Sequence, residues 1–310
     1  MKGWKSAFST VFLRIDSSCL ERHSKKCNFV LNALIKSTRT KILIARLLYS
    51  ITRLLPGKDH RIIKRNGIVY AVDLSEGIDM SIFLSGSFQP HLLKNPVFEI
   101  KPDFVIMDIG ANAGFLTLQF ARHASQGSVI AFEPTDYAMT RLQRNLSLNP
   151  ELSARVRVIH SFVSDKSDNQ PNIKAYSSWK INGERSADNH PVHTGTPRPS
   201  PGVPAISLND FAEKEQLQKV DFIKIDTDGH EHLILNGADR MIARLRPAII
   251  YELGLYVMQE QGITFEFYEK YFHELGYRMF DSITGKEITL ANYRKLIPKY
   301  GTTDVLALPY

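Results

Sequence analysis

Three groups of small and acidic residues in this chain have the types and spacing to do chemistry. Asp108, Gly110, Asn112 and Gly114 form D-x-G-x-N-x-G at the end of the apolar run FVIM (104–107). Glu133 stands in AFEP (131–134), 25 residues after Asp108. Asp226, Asp228, His230, Glu231 and His232 crowd into IKIDTDGHEH (223–232), the densest run of Asp, Glu and His in the chain. Glycines between a strand and a helix allow a tight turn and a close approach to the backbone, and the helix that follows offers free N–H groups. A dinucleotide loop would read G-x-G-x-x-G, without a carboxylate two residues ahead of it. Asp108 would repel a pyrophosphate and attract a cationic group. An acid at the next strand tip, as Glu133 would be, can accept hydrogen bonds from both hydroxyls of a ribose. A ligand with a ribose and an ammonium but no phosphate meets these conditions, and S-adenosylmethionine is such a ligand.

The third group supplies the reaction. Asp226, at a strand tip, would face a transferred methyl group, and His230 or Asp228 could receive the proton of an attacking hydroxyl. A positioned base contributes roughly 10²–10⁴-fold to such a step. Two Asp and a His could also bind a divalent ion that acidifies the hydroxyl, but no further matching ligand set is visible and the expected metal is none. Glu231 has the plainer role of an acid in the first turn of a helix, and His232 that of a solvated helix residue.

The elements that must hold these groups follow from the pattern around them. From about residue 100, short apolar runs (FVIMDIG, SVIAFEP, RVRVIHSFVS, VDFIKID, AIIYEL) alternate with amphipathic stretches (GFLTLQFARHA, DYAMTRLQRNLSLN, SLNDFAEKEQL, EHLILNGADRMIARL, TFEFYEKYFHELG). That alternation predicts a parallel sheet covered on both faces. YRMFDS and TDVLALP add two strands without a helix between them, an antiparallel addition at the edge. Ligands of such sheets bind beyond the carboxyl ends of the strands, where all three groups fall. Residues 165–204 break the rhythm with a polar stretch rich in Pro, Gly and Ser, parts of which can be extended as a hairpin. Ahead of the sheet, Asn66-Gly67 predicts a hairpin between two β-rich runs, and 75–93 a helix ending near Gly86. Three regions result: a basic helical extension (1–57), a hairpin and cap (58–99), and the main domain (100–310) with its insert.

Composition bounds the rest. The 310 residues are 43% hydrophobic, enough for one large domain and an accessory segment. The net charge of +7 is uneven: residues 1–66 hold 15 Lys and Arg against 3 Asp and Glu, and the remainder 24 against 29. The basic segment has no aromatic ladder or Gly-Arg repeat, so nucleic acid is not the expected partner. KILIARLLYSITRLL (41–55) places apolar residues at helical spacing around Arg46 and Arg53. Packing on the main domain is its first reading, and peripheral contact with an anionic membrane its second. The basic start carries no signal-peptide core, and Cys19 and Cys27 have no metal or CxxC spacing. The expected location is cytoplasmic, with a peripheral position at the inner face of the membrane as the alternative.

DIGANAGFLTL, AFEP, RLQRNLSLN and FIKIDTDGHE occur in order at fitting distances. With EGID…F…G…QP and SLNDF, they make the chain resemble the FkbM family of S-adenosylmethionine-dependent methyltransferases over about residues 68–255. The resemblance implies a Rossmann-like, seven-strand class I methyltransferase fold and O-methylation, often of a sugar or a secondary-metabolite hydroxyl. It implies that Asp108, Gly110, Asn112 and Gly114 form the methionine-side loop and that Glu133 takes the ribose. Phe162, or its neighbours Ser161 and Val163, would line the adenine, and Asp226 would match the first acid of the family's D-V-E-G-A-E. Thr227, Asp228 and His230 depart from that pattern and leave the base unassigned among Asp226, Asp228 and His230. Glu252, at the fifth strand tip, could reach the substrate or act as a cap. Tyr176, Trp179, His190 and His193 in the insert are candidate sugar contacts. The expected partner is a small-molecule or glycan acceptor. A nicotinamide-dependent oxidoreductase, against which the D-x-G-x-N-x-G spacing speaks, and a non-catalytic S-adenosylmethionine-binding protein are the alternatives.

Overall fold

The computed structural model describes residues 49–50, 59–169, 171, 173, 175–177, 181, 196–198, 200–227, 229–299 and 301–310, with the backbone alone at 175–177 and 196–197. Almost all of the basic extension, together with Asp228, Trp179, His190 and His193, lies outside them. No helix among the described residues is long and apolar enough to cross a membrane.

A hairpin opens the described chain, with β1 (His60–Arg65) antiparallel to β2 (Ile68–Asp73) and Arg65 opposite Ile68. Asn66 (φ 49°) and Gly67 (φ 78°) turn it as their types predict. Helix α1 (Gly77–Ser85) follows and stops at Gly86 (φ 74°). The main sheet then begins with β3 (Val105–Ile109), α2 (Phe115–His123), β4 (Ser128–Phe132), α3 (Asp136–Ser147) and β5 (Val156–Ile159). After β5 the chain leaves the sheet. The expected long third strand RVRVIHSFVS is broken, and β6 (Phe162–Val163) pairs parallel with β7 (Ala205–Ile206) instead. Those two strands are the roots of the insert.

Helix α4 (Leu208–Lys214) carries the expected cap, Ser207 accepting from the Asp210 N–H. Strand β8 (Phe222–Ile225) is followed by α5 (Glu231–Asn236) and α6 (Asp239–Leu245), two short helices where one was expected. β9 (Ala248–Gly254), α7 (Leu255–Glu260), α8 (Phe265–Glu274), β10 (Tyr277–Asp281) and β11 (Thr302–Pro309) complete the domain.

The seven sheet strands lie in the order β10-β11-β9-β8-β3-β4-β5. β9, β8, β3, β4 and β5 are parallel, and β11 runs antiparallel to both β9 and β10. The antiparallel strand expected at the edge therefore lies one in from it. The crossover through α8 leaves a one-strand gap between β9 and β10, and β11 fills it, hydrogen-bonding on both sides. Strand order reverses between β3 and β8, which opens a crevice beyond their carboxyl ends. Both faces of the sheet are packed. One carries Phe211, Ile234, Ile242, Tyr268 and Phe272, and the other Leu92, Leu116, Phe120 and Ile250.

The cap docks through polar groups that the sequence motifs contain. Asn145 Oδ1 accepts from the Ala71 N–H (2.8 Å) and Asn149 Oδ1 from the Val69 N–H (2.9 Å), so one side chain on α3 and one just beyond its end satisfy the free edge of β2. Glu76 and Asp79, both fully buried, receive Arg141 of α3, and the Tyr137 hydroxyl donates to Glu76. The insert reaches the same place. The Ile181 N–H donates to the Ser75 carbonyl (2.7 Å), and the Arg198 guanidinium lies 4.1 Å from the centroid of the Tyr137 ring. Its backbone at Ala175–Ser177 pairs antiparallel with Thr196–Arg198, the expected hairpin.

Candidate functional site

Five strand ends supply the site. At the tip of β3 the chain turns through Gly110 (φ 76°), Asn112 (φ 50°) and Gly114 (φ 79°) into α2. A Cβ on Gly110 would stand 2.0 Å from the Asp226 carbonyl oxygen, so the loops after β3 and β8 touch backbone to backbone. Only glycine permits both that conformation and that approach. Asn112 and Gly114 bend the same loop around the α2 N-terminus, where a ligand can lie against N–H groups.

Glu133, at the tip of β4, is buried (5% exposed). Its Oε2 accepts from the Asn112 N–H (2.9 Å), and its Oε1 from the Thr135 N–H (2.9 Å) and hydroxyl (2.7 Å). Burial raises its pKa against these hydrogen bonds. A carboxylate has about four acceptor positions, and three are filled, so one ribose hydroxyl fits rather than two.

Asp108 plays a part different from the one its type suggested. It is fully buried; Oδ2 accepts from the Thr117 hydroxyl (2.6 Å), and Lys224 Nζ lies 3.2 Å from Oδ1. Lys224 stands directly opposite Asp108 in the β8–β3 register and donates to the carbonyls of Ile109 (3.2 Å) and Gly110 (2.8 Å). The carboxylate is thus faced by a cation of the protein itself, while its Oδ1 makes no hydrogen bond among the described residues. The electrostatic half of the case against a dinucleotide falls with that pairing, while the spacing half stands. Lys224 is the group that sequence reasoning missed; a lone lysine inside the apolar strand FIKI was its signal.

Beyond β8, the half-buried Asp226 lies 3.8 Å from Lys224. Burial pushes the Asp226 pKa up, Lys224 opposes this, and Asp304 and Asp108 add to it. The loop after it is organised by Glu231, fully enclosed, whose Oε1 accepts from the Thr227 N–H (3.0 Å) and hydroxyl (3.1 Å) and the Gly229 N–H (3.3 Å). Glu231 is more than an acid facing a helix dipole: it closes the loop on itself. His230 Nδ1 contacts the Thr227 carbonyl (3.1 Å), so Nδ1 carries the proton and Nε2 is the acceptor. His232 packs edge-on to Phe267, and burial lowers its pKa, so it is not the solvated residue expected.

Glu252 and Asp304 are direct partners in the β9–β11 register. Since Ile225 pairs with Tyr251, Asp226, Glu252 and Asp304 form one row across three strand tips. Glu252 Oε1 accepts from the Thr302 hydroxyl (2.5 Å), and burial with Asp226 and Asp304 beside it holds its pKa well above the usual carboxylate range. Glu252 is therefore part of the site wall. His91 Nε2 meets Asp304 at 2.6 Å from the cap side. Ser161 and Phe162 sit apart from this row. The Ser161 hydroxyl is shared between the carbonyls of Phe162 (2.7 Å) and Pro204 (2.9 Å), and the Phe162 ring packs with Val203 and Ala205. They face the root of the insert rather than the end of the third sheet strand. Among the described residues no group of three or more His, Cys, Asp or Glu could hold a metal ion. With Asp228 outside them, the Asp226–Asp228–His230 set is incomplete.

Residues 108–279 match the family described as Methyltransferase FkbM domain. The chain is 30% identical over 155 residues to Methyltransferase 1 of Beauveria bassiana (strain ARSEF 2860), a match covering 46% of this chain and 62% of that one. It is 25% identical over 163 residues to 2-O-methyltransferase NoeI of Sinorhizobium fredii (strain NBRC 101917 / NGR234), covering 47% of this chain and 62% of NoeI. Neither match reaches two thirds of the relative's length. A solved FkbM methyltransferase from Methylobacillus flagellatus KT superposes with a TM-score of 0.42 at 16% identity, covering 71% of this chain and 48% of that one.

Proposed function

Because the chain belongs to the FkbM methyltransferase family, we propose that it transfers the methyl group of S-adenosylmethionine to a hydroxyl of a carbohydrate, glycolipid or related metabolite. The observation that carries this reading is the contact between the two loops at the strand-order reversal. Gly110 lies against the Asp226 backbone, and Glu133 accepts from Asn112 of the same loop, so the glycine loop, the ribose acid and the Asp226 loop meet at the crevice. The donor supplies a sulfonium methyl already activated for in-line displacement. The protein's own work is placement. Glu133 offers its remaining acceptor position to a ribose hydroxyl, and the α2 N-terminus offers N–H groups to the methionine end. Lys224 fixes the Gly110 carbonyl, and Asp226 stands at the rim on the acceptor side. An alcohol oxygen is a weak nucleophile, so alignment with the methyl carbon and removal of its proton are what remain to be catalysed. The name of NoeI supports oxygen as the methylated atom.

Titration calorimetry separates this reading from a nicotinamide enzyme. Saturable heat is expected from S-adenosylmethionine and none from NAD, and the opposite pattern would overturn the proposal. Transfer of tritium from S-[methyl-³H]adenosylmethionine to alkyl glycosides, absent with non-hydroxylic amines, tests the acceptor class.

A further inference from the structure

The base that receives the hydroxyl proton can be sought on geometry. His230 is oriented by a backbone carbonyl, which sets its tautomer but provides no charge to balance an imidazolium. The carboxylate next to it in sequence, Glu231, gives Oε1 to the Thr227 and Gly229 donors. On the other side of the row the situation differs. His91 is held on a one-turn helix, Pro90–Leu92, whose Leu92 and Leu93 are buried in the core, and the Asn95 side chain donates to its carbonyl (3.1 Å). Its Nε2 lies 2.6 Å from Asp304, 213 positions away in the chain, and both side chains keep partial exposure (21% and 17%). Among the described residues His91 Nδ1 has no hydrogen-bond partner. Lys224, Asp226 and Asp304 border one narrow gap at these strand ends, which His91 adjoins through Asp304.

Building on the function proposed above, we infer that His91, oriented by Asp304, is the general base that takes the proton from the acceptor hydroxyl. An ionised carboxylate on Nε2 demands the Nε2–H tautomer and leaves the Nδ1 lone pair open, the arrangement by which a carboxylate prepares an imidazole for proton abstraction. As the acceptor oxygen bonds to the methyl carbon, the methyl–sulfur bond breaks and its electron pair stays on sulfur. The O–H bond breaks with its pair left on oxygen, and the proton goes to Nδ1 and then to solvent. The imidazolium so formed faces the Asp304 carboxylate that already accepts from Nε2. Strand spacing of about 4.8 Å puts Asp226 roughly 10 Å from Asp304, a span that a sugar ring laid across Glu252 would fill. Asp304 acts through His91 and is a positioning residue.

The competing explanation is that His91 and Asp304 merely clip the cap to the sheet. His91→Gln keeps a donor for Asp304 and cannot act as a base, so it distinguishes the two. Expected for His91→Gln are a melting temperature and S-adenosylmethionine affinity close to wild type, with kcat for methyl transfer to alkyl glycosides at least about 100-fold lower and KM little changed. Asp304→Asn should keep the fold and lower kcat by a smaller factor. Full turnover by His91→Gln would overturn the assignment. If wild type binds the donor but methylates no glycoside, the acceptor class proposed above fails, and the dyad is decided without turnover. Long-range ¹H–¹⁵N spectra, with the His91 signals identified by their loss in His91→Gln, should then show Nε2–H with Nδ1 unprotonated. The S-adenosylhomocysteine complex should shift Nδ1 when methanol is added as a minimal acceptor. An Nδ1–H tautomer, or no response to the alcohol, would overturn it.

Discussion

Replacing Lys224 by methionine tests whether the buried cation, rather than a ligand, balances Asp108. At an effective dielectric of about 20, a 3.2 Å separation corresponds to about 5 kcal/mol of gross attraction, 332/(20 × 3.2). Desolvation offsets most of this, because the two side chains are 4% and 0% exposed. The pair therefore adds little net stability, yet removing one member is costly, since the other charge stays buried. Lys224→Met should destabilise the protein by about 3–5 kcal/mol, or roughly 6–20 °C in melting temperature at about 2–4 °C per kcal/mol. Asp108→Asn/Lys224→Met should recover a large part of that loss, because the fully buried carboxylate is neutralised with its partner and only the half-buried Asp226 loses a cation. The Gly110 carbonyl also loses its donor, so S-adenosylmethionine affinity should fall at least tenfold in the single mutant. Urea denaturation and calorimetry measure both effects. A single mutant within about 1 kcal/mol of wild type, or a double mutant no better than the single, would refute the pairing as the support of the loop.

Three further outcomes follow from the site and its cap. Gly110→Ala meets the Asp226 carbonyl at 2.0 Å and a φ of 76°; the backbone strain alone is about 1–3 kcal/mol, and donor binding in calorimetry should be lost. Glu231→Ala leaves three donors around residues 227–229 without their acceptor, so kcat should fall at least tenfold with a stability loss of about 2–4 kcal/mol; unchanged kcat would place the loop away from the reaction. Burial pushes the Asp79 pKa up to about 6 from an ordinary 3.8, against the pull of Arg141. The folded state then holds a proton that the unfolded state has released, so this group's contribution falls as pH rises from about 4 to about 6 and is flat above. The upper bound is about 3 kcal/mol, from (6 − 3.8) × 1.36. The stability difference between wild type and Asp79→Asn should change by up to that amount over this window in denaturation at stepped pH; a constant difference would show that Asp79 ionises normally.

Which parts of the site could be seen in the sequence follows from the range of the interactions involved. Gly110, Asn112 and Gly114 announce themselves because a positive φ is a local demand that residue type answers directly. Glu133 and Asp226 are visible because a strand ending in an acid before a turn is also a local pattern. Partners are another matter. Asp108 is read as a free acid until β8 is placed beside β3 and Lys224 falls opposite it, 116 residues later in the chain. Asn145 and Asn149 fall at i and i+4 in the expected helix, which in the structure ends at Ser147, and nothing near them marks them as the hydrogen-bond partners of β2, 74 and 80 residues earlier. The break in RVRVIHSFVS is hidden too, since Phe162 and Val163 satisfy their backbone with Ala205 and Ile206 across the whole insert.

Asp304 shows most clearly what pattern alone cannot provide. It lies in TDVLALP, an unremarked acid at the start of a strand, and nothing within ten residues suggests chemistry. Its position beside Glu252 depends on β11 entering the gap between β9 and β10, a consequence of topology rather than of local propensity. Once there, it extends the carboxylate row that begins at Asp226 and gives His91 its partner. An acid pair at one strand tip thereby becomes a site with two sides. In the reaction proposed above, Lys224 and the glycine loop hold the donor end, and His91 and Asp304 the acceptor end. Substitutions on the first side should weaken donor affinity, and those on the second should lower kcat while leaving donor affinity unchanged. A mutant of Asp304 that weakened S-adenosylmethionine binding as strongly as Lys224→Met does would contradict that division.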